Sequence, residues 1–193
     1  MDHQKLASTA RALVAPAKGI LAADESSPTI ARRFDSIKVE STEENRRDYR
    51  EMLFRAKGAN KYISGIILFD ETIKQNGADG TSLVQILKDL NIIPGIKVDK
   101  SGKDLAGSPT EKITEGLDGL RERLSGYSAL GAQFTKWRAI ITIGPGIPTK
   151  YCIDVNAHAL ARYAALSQEA GLVPIVEPEV LMDGDHDIEP VSY

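Results

Sequence analysis

Cysteine is nearly absent: Cys152 stands alone in 193 residues. That excludes an intramolecular disulfide and any metal site built on paired cysteines. With no evident base partner, the thiol itself reads as inert. Long apolar runs are missing too. The N-terminal stretch MDHQKLASTARALVAPAKG holds neither a signal-peptide core nor a membrane span, so a reducing cytoplasm is the expected compartment. Neither GxGxxG nor a Gly-Lys-Ser/Thr phosphate loop occurs, and GPGIP (144–148) reads as a turn. Charge of one sign is scarce: 24 basic against 27 acidic residues leave a formal charge of -3. Nothing global therefore points to nucleic acid or to an anionic membrane. No low-complexity segment or Pro/Gly/Ser-rich linker divides the chain, which reads as a single domain over residues 1–193.

What is present is an ordinary globular composition, 42% hydrophobic and 26% charged, in a chain long enough to bury roughly 70% of its unfolded surface. Helical and extended patterns alternate along it. Leu6, Ala10, Leu13 and Val14 share one helical face, ended by Pro16. GILAADES (19–26) suits a short buried strand meeting a loop. Ser41 with Glu44 has capping-box spacing and opens a helix whose apolar stripe is Tyr49, Met52, Leu53 and Ala56. YISGIILF (62–69) is a strand, 81–90 an amphipathic helix and IPGIKVDK (93–100) a strand. Ile113, Leu117, Leu120 and Leu124 recur at helical spacing, with Gly126 as the stop. FTKWRAIITI (134–143) is a strand, 155–170 a helix ended by Gly171, and LVPIVEPEVL (172–181) the last strand.

Strands alternating with helices imply a parallel sheet covered by helices, either doubly wound or a (β/α)8 barrel. The charged strand residues favour the barrel. Asp24, Lys97, Glu177 and Glu179 lie at or near C-terminal strand ends, and Lys136 and Arg138 share one face of their strand. A complete barrel takes about 250 residues; five of its eight strands are expected here.

Each charged residue has a purely structural alternative. Lys136 and Arg138 suit an anionic substrate such as a phosphate ester, or else a solvated edge strand. Lys97 either joins that cluster or is a surface lysine. Glu177 and Glu179 supply a general acid/base and an orienting partner, or a polar strand end stiffened by Pro178. Asp24 is a site residue or a helix N-cap, and Ser26 and Thr29 with the following helix amides suit a phosphate. DGDHD (183–187) lacks calcium- or zinc-site spacing and reads as a loop capping the next helix. His158 reads as structural.

GILAADES, TEENRRDYR, ILFDET, GIKVDK, GLDGL, FTKWR, ARYA, VPIVEPE and DGDHD occur in this order, from about Leu13 to Ile188. Together they resemble class I fructose-bisphosphate aldolase. The resemblance implies a TIM (β/α)8 barrel, of which this chain carries about the first five β/α units. It implies a cytoplasmic homotetramer of glycolysis and gluconeogenesis, without metal or cofactor. The implied lyase reversibly cleaves fructose 1,6-bisphosphate into dihydroxyacetone phosphate and glyceraldehyde 3-phosphate through a lysine Schiff base. By the same resemblance Asp24 handles the C4 hydroxyl, and Lys136 is the lysine beside the Schiff base. Glu177 dehydrates the carbinolamine, with Glu179 as its charge partner. Lys97 and Arg138 lie near phosphate, and Ser26, Thr29 and Arg33 match phosphate contacts. Thr29 replaces a more usual serine, and Pro28 stands where many members have glycine.

One block is missing. The family's Schiff-base lysine lies on the sixth strand in a segment like LLKPNM, which does not occur in these 193 residues. The chain by itself is therefore expected neither to cleave the sugar nor to persist as a closed monomer, since five strands leave two open edges. A non-catalytic half-barrel that binds sugar phosphates or a complementary fragment is the alternative.

Overall fold

The computed structural model describes residues 2–187. Its elements run α1 (His3–Leu13), β1 (Gly19–Ala23), α2 (Ser27–Ser36), α3 (Glu43–Phe54), a short α4 (Ala59–Tyr62) and β2 (Ile63–Leu68). After a 3-10 turn at Thr72–Lys74 come α5 (Leu83–Asp89), β3 (Ile93–Lys97), and an antiparallel hairpin of β4 (Gly102–Leu105) and β5 (Ser108–Thr114). The order closes with α6 (Leu120–Leu130), β6 (Phe134–Ile141), α7 (Lys150–Glu169) and β7 (Val173–Val180). The main sheet has the order β1-β2-β3-β6-β7, and every neighbouring pair is parallel. It is the first five strands of a (β/α)8 barrel, curved into a half-barrel.

Strand alternation sorts the side chains into two layers. On the convex face Ile66, Leu68, Ile96, Trp137 and Ala139 are buried beneath the helices, in one cluster with Leu83, Leu87, Leu124 and Tyr163. Tyr163 stacks against Trp137 with ring centroids 5.4 Å apart and shares a 2.8 Å hydrogen bond with Thr135. A second cluster fills the concave floor: Leu13 from α1, Ile67 and Phe134, with Ile20, Ile93, Val173 and Ile175 packed around them. Gly95 pairs with Phe134 across β3 and β6, and a Cβ there would stand 2.2–2.4 Å from the phenyl ring. Glycine leaves that space to the ring.

Several local expectations are corrected. Thr42, not Ser41, caps α3, accepting from the Asn45 amide at 3.1 Å. The buried face shifts with it to Arg50, Glu51 and Phe54, leaving Met52 61% exposed. Val14 lies outside α1 and faces solvent, while Leu13 is buried. Ile113 belongs to β5 rather than to a helix, because the hairpin was hidden by a coincidental helical spacing. Gly126 sits inside α6, which stops at Gly131 with φ 105°, a conformation that costs glycine little. α7 begins at Lys150, before the apolar run, because Thr149 caps it; Glu111 accepts from the Thr149 amide and hydroxyl at 2.7 Å each. The helix expected after DGDHD falls beyond Asp187, outside the described residues.

Candidate active site

The C-terminal ends of the strands carry a charged layer above the apolar floor. Asp24 follows β1 directly, Lys97 ends β3, Lys136 and Arg138 lie on β6, and Glu177 and Glu179 on β7. Lys97 is in register with Lys136, and Arg138 with Glu177. Lys136 is the centre of the layer: its Nζ lies 3.2 Å from Glu177 and 3.4 Å from Asp24. β1 and β6 are separated by two strands, about 14 Å along a flat sheet. The contact with Asp24 exists because the sheet curves. Burial disfavours the Lys136 charge, but Asp24 and Glu177 outweigh it and raise the ammonium above the ordinary lysine value.

Arg138 donates to Glu179, and that bond raises its pKa. The two glutamates thus share a face but engage different cations: Glu177 meets Lys136 and Glu179 meets Arg138. Lys97 pairs with Asp99 at 2.9 Å. Ser26 caps α2 without a side-chain bond to the helix amides; its hydroxyl is hydrogen-bonded at 3.1 Å to that of Thr29. Arg33, largely exposed on α2, pairs with Glu25. A cavity of about 720 Å³ brings Ser26 and Lys97 together, while Thr29, Arg33 and Arg138 do not line it.

Two residues escaped sequence reasoning. Asp99, with a 2% exposed side chain, pairs with Lys97 and accepts from the amides of Ser101 at 3.1 Å and Arg138 at 3.3 Å. Arg50 is fully buried on α3 and donates to the Glu25 carbonyl at 2.7 Å. Glu71 lies 3.7 Å from it and is held by Arg46 at 2.6 and 2.9 Å. The i, i+4 spacing of Arg50 to Phe54 is the signal in the sequence, and the apolar residues Tyr49 and Leu53 beside them obscure it. Among the described residues no group of three or more His, Cys, Asp or Glu side chains is placed to hold a metal ion, and no helix is long and apolar enough to cross a membrane.

Comparison with known proteins converges on one family. The family model for class I fructose-bisphosphate aldolase matches residues 5–193. A probable fructose-bisphosphate aldolase class 1 of Xanthomonas campestris is 62% identical over 189 residues, covering 98% of this chain and 57% of that protein. The cytosolic fructose-bisphosphate aldolase 4 of Arabidopsis thaliana is 53% identical, covering 98% of this chain and 48% of that protein. A solved structure of fructose-bisphosphate aldolase from Plasmodium falciparum, in complex with TRAP and a small-molecule inhibitor, superposes with a TM-score of 0.94 at 52% identity. It covers 97% of this chain and 55% of the other. The chain thus spans about half the length of the relatives it matches. With this sheet order, this charged layer and these matches, the chain belongs to the class I fructose-bisphosphate aldolase family.

Proposed function

We propose that this chain supplies the first five β/α units, and most of the acid-base residues, of an enzyme that reversibly cleaves fructose 1,6-bisphosphate into two triose phosphates. The observation that carries the reading is Lys136 held between Asp24 and Glu177 on the concave face. In this reading the Schiff-base lysine belongs to a sixth strand, in a segment like LLKPNM that these 193 residues do not contain. Once an iminium links that lysine to C2 of the sugar, Asp24 takes the C4 hydroxyl proton. The C3–C4 bond breaks, its electron pair passes into the iminium to give an enamine, and glyceraldehyde 3-phosphate leaves. Protonation at C3 and hydrolysis then release dihydroxyacetone phosphate. Lys136, kept charged by its two carboxylates, disfavours protonation of the neighbouring nucleophilic amine and stabilises the C4 oxygen. Glu177 donates the proton that removes water from the carbinolamine. Glu179 orients Arg138, and Ser26, Thr29, Arg33, Lys97 and Arg138 hold phosphate oxygens. The enzyme is proposed to work in the cytoplasm as a homotetramer.

A chimaera tests this: residues 1–193 of this chain followed by the remainder of the Xanthomonas relative. The expected result is fructose 1,6-bisphosphate cleavage that survives chelators, is lost on borohydride treatment with dihydroxyacetone phosphate, and falls by about two orders of magnitude or more in K136M. A folded chimaera that does not cleave, or whose K136M variant keeps full rate, overturns the reading. The 193-residue chain alone is expected to be inactive.

A further inference from the structure

The cavity that holds Ser26 and Lys97 is lined as well by Lys74, from the 3-10 turn, and by Arg123, Tyr127 and Leu130 of α6. Four cations line it, Lys74, Lys97, Lys100 and Arg123, against two carboxylates, Asp70 and Asp99. Both carboxylates are already engaged. Lys74 donates to both oxygens of Asp70 at 2.8 Å, and the Tyr127 hydroxyl donates to the same group at 2.7 Å. Asp99 is paired with Lys97. Burial works against the Asp70 charge, yet the bonds from Lys74 and Tyr127 hold its pKa below the ordinary carboxylate value. Arg123 directs its terminal nitrogens to the main-chain carbonyls of Val98 at 2.9 Å and Gly116 at 2.5 Å; its charge acts on Asp70 from a distance, and it makes no ion pair among the described residues. Lys100 is exposed and has no ion pair among the described residues. Counted over the lining, four positive charges less two negative ones leave an excess of two. Phe69, Tyr127 and Leu130 form an apolar wall beside them.

A concave surface with uncompensated cations on a low-dielectric wall concentrates anions. We propose that the part of this cavity lined by Lys74, Lys100 and Arg123 is a second anion subsite. It takes the distal anionic group of an oligophosphate or extended phosphorylated small molecule whose first phosphate lies at Ser26 and Lys97. The subsite rests on the proposed reading of Ser26 and Lys97 as phosphate-holding residues. Lys100 is the donor that swings onto the distal group, Lys74 is its neighbour, and Arg123 contributes charge rather than a hydrogen bond. A ligand so placed occupies the position of a substrate phosphate and therefore competes with substrate.

The test is titration calorimetry of the 193-residue chain at constant ionic strength and one fixed protein concentration, with the association state of every variant matched by sedimentation and with orthophosphate and tripolyphosphate as probes. Tripolyphosphate is expected to bind about tenfold tighter or better. K74Q/K100Q should remove most of that advantage while leaving orthophosphate within about twofold of the unsubstituted chain. K150Q, an exposed lysine on α7 outside the cavity, should change neither. Equal affinities for the two probes overturn the proposal. So does an advantage that survives K74Q/K100Q, or one that K150Q reduces as much. K97Q separates the two readings. If orthophosphate binding is indifferent to K97Q while tripolyphosphate binding still requires Lys74 and Lys100, the Ser26–Lys97 assignment fails and the cavity assignment stands.

Discussion

The guanidinium of Arg50 donates at 2.7 Å to the main-chain carbonyl of Glu25, tying α3 to the loop that carries Asp24 and Ser26. The side chain is fully buried, and burial pulls its pKa down against the pull of Glu25 and Glu71. Arg50→Met should cost about 1–3 kcal/mol, because the Glu25 carbonyl loses its donor without gaining solvent. Arg50→Lys should not restore it, since an ammonium cannot reproduce the planar fork. Urea denaturation of the three proteins measures the difference; a Met variant as stable as the parent would show that the bond contributes nothing.

Gly95 leaves the space that the Phe134 ring occupies. Gly95→Ala should destabilise by about 1–3 kcal/mol through overpacking, and Phe134→Leu in the same chain should return part of that loss. Independent, additive losses in the double variant would rule out the steric account, and thermal melts of all four proteins decide it.

Acid stability should depend on Glu71. Its hydrogen bond from Arg46, outweighing partial burial, depresses its pKa below the ordinary glutamate value. A carboxylate depressed in the folded state stabilises the fold fully above its unfolded pKa, about 4.3, and that contribution disappears as pH falls through the lower folded value. Glu71→Gln should therefore reduce stability at pH 7 and flatten its decline between about pH 5 and 3. Parallel stability–pH curves for variant and parent would contradict this.

The chain by itself should self-associate. β1 and β7 are edge strands of the described sheet. On the convex face, Trp137 and Ala139 of β6 are buried under α7, whereas Val176 of β7 is 46% exposed. Unpaired edges and uncovered apolar faces favour strand-to-strand association. Sedimentation velocity is expected to show dimers or larger species that grow with concentration. A monodisperse monomer of 21.0 kDa with a cooperative melt would disprove it.

The sequence alone determined the strands of the sheet, the faces of those strands and the family. Strand alternation is a local property: Lys136 and Arg138 must share a face once Phe134–Ile141 is extended, and Glu177 must share one with Glu179. Caps and hairpins were less legible, because Ser41 and Thr42 are chemically equivalent caps and only packing chose between them, and because Ile113 falls at helical spacing by coincidence. Tertiary structure alone decided the pairings. That Lys136 meets Asp24, 112 residues away, depends on the curvature of the sheet. That Glu179 engages Arg138 depends on the register of β6 against β7, and that Asp99 meets Lys97 and Arg50 meets the Glu25 carbonyl depends on how the loops and α3 pack against the strand ends. Local patterns specify what a residue faces; the distance between residues far apart in the chain is set only when the layers pack.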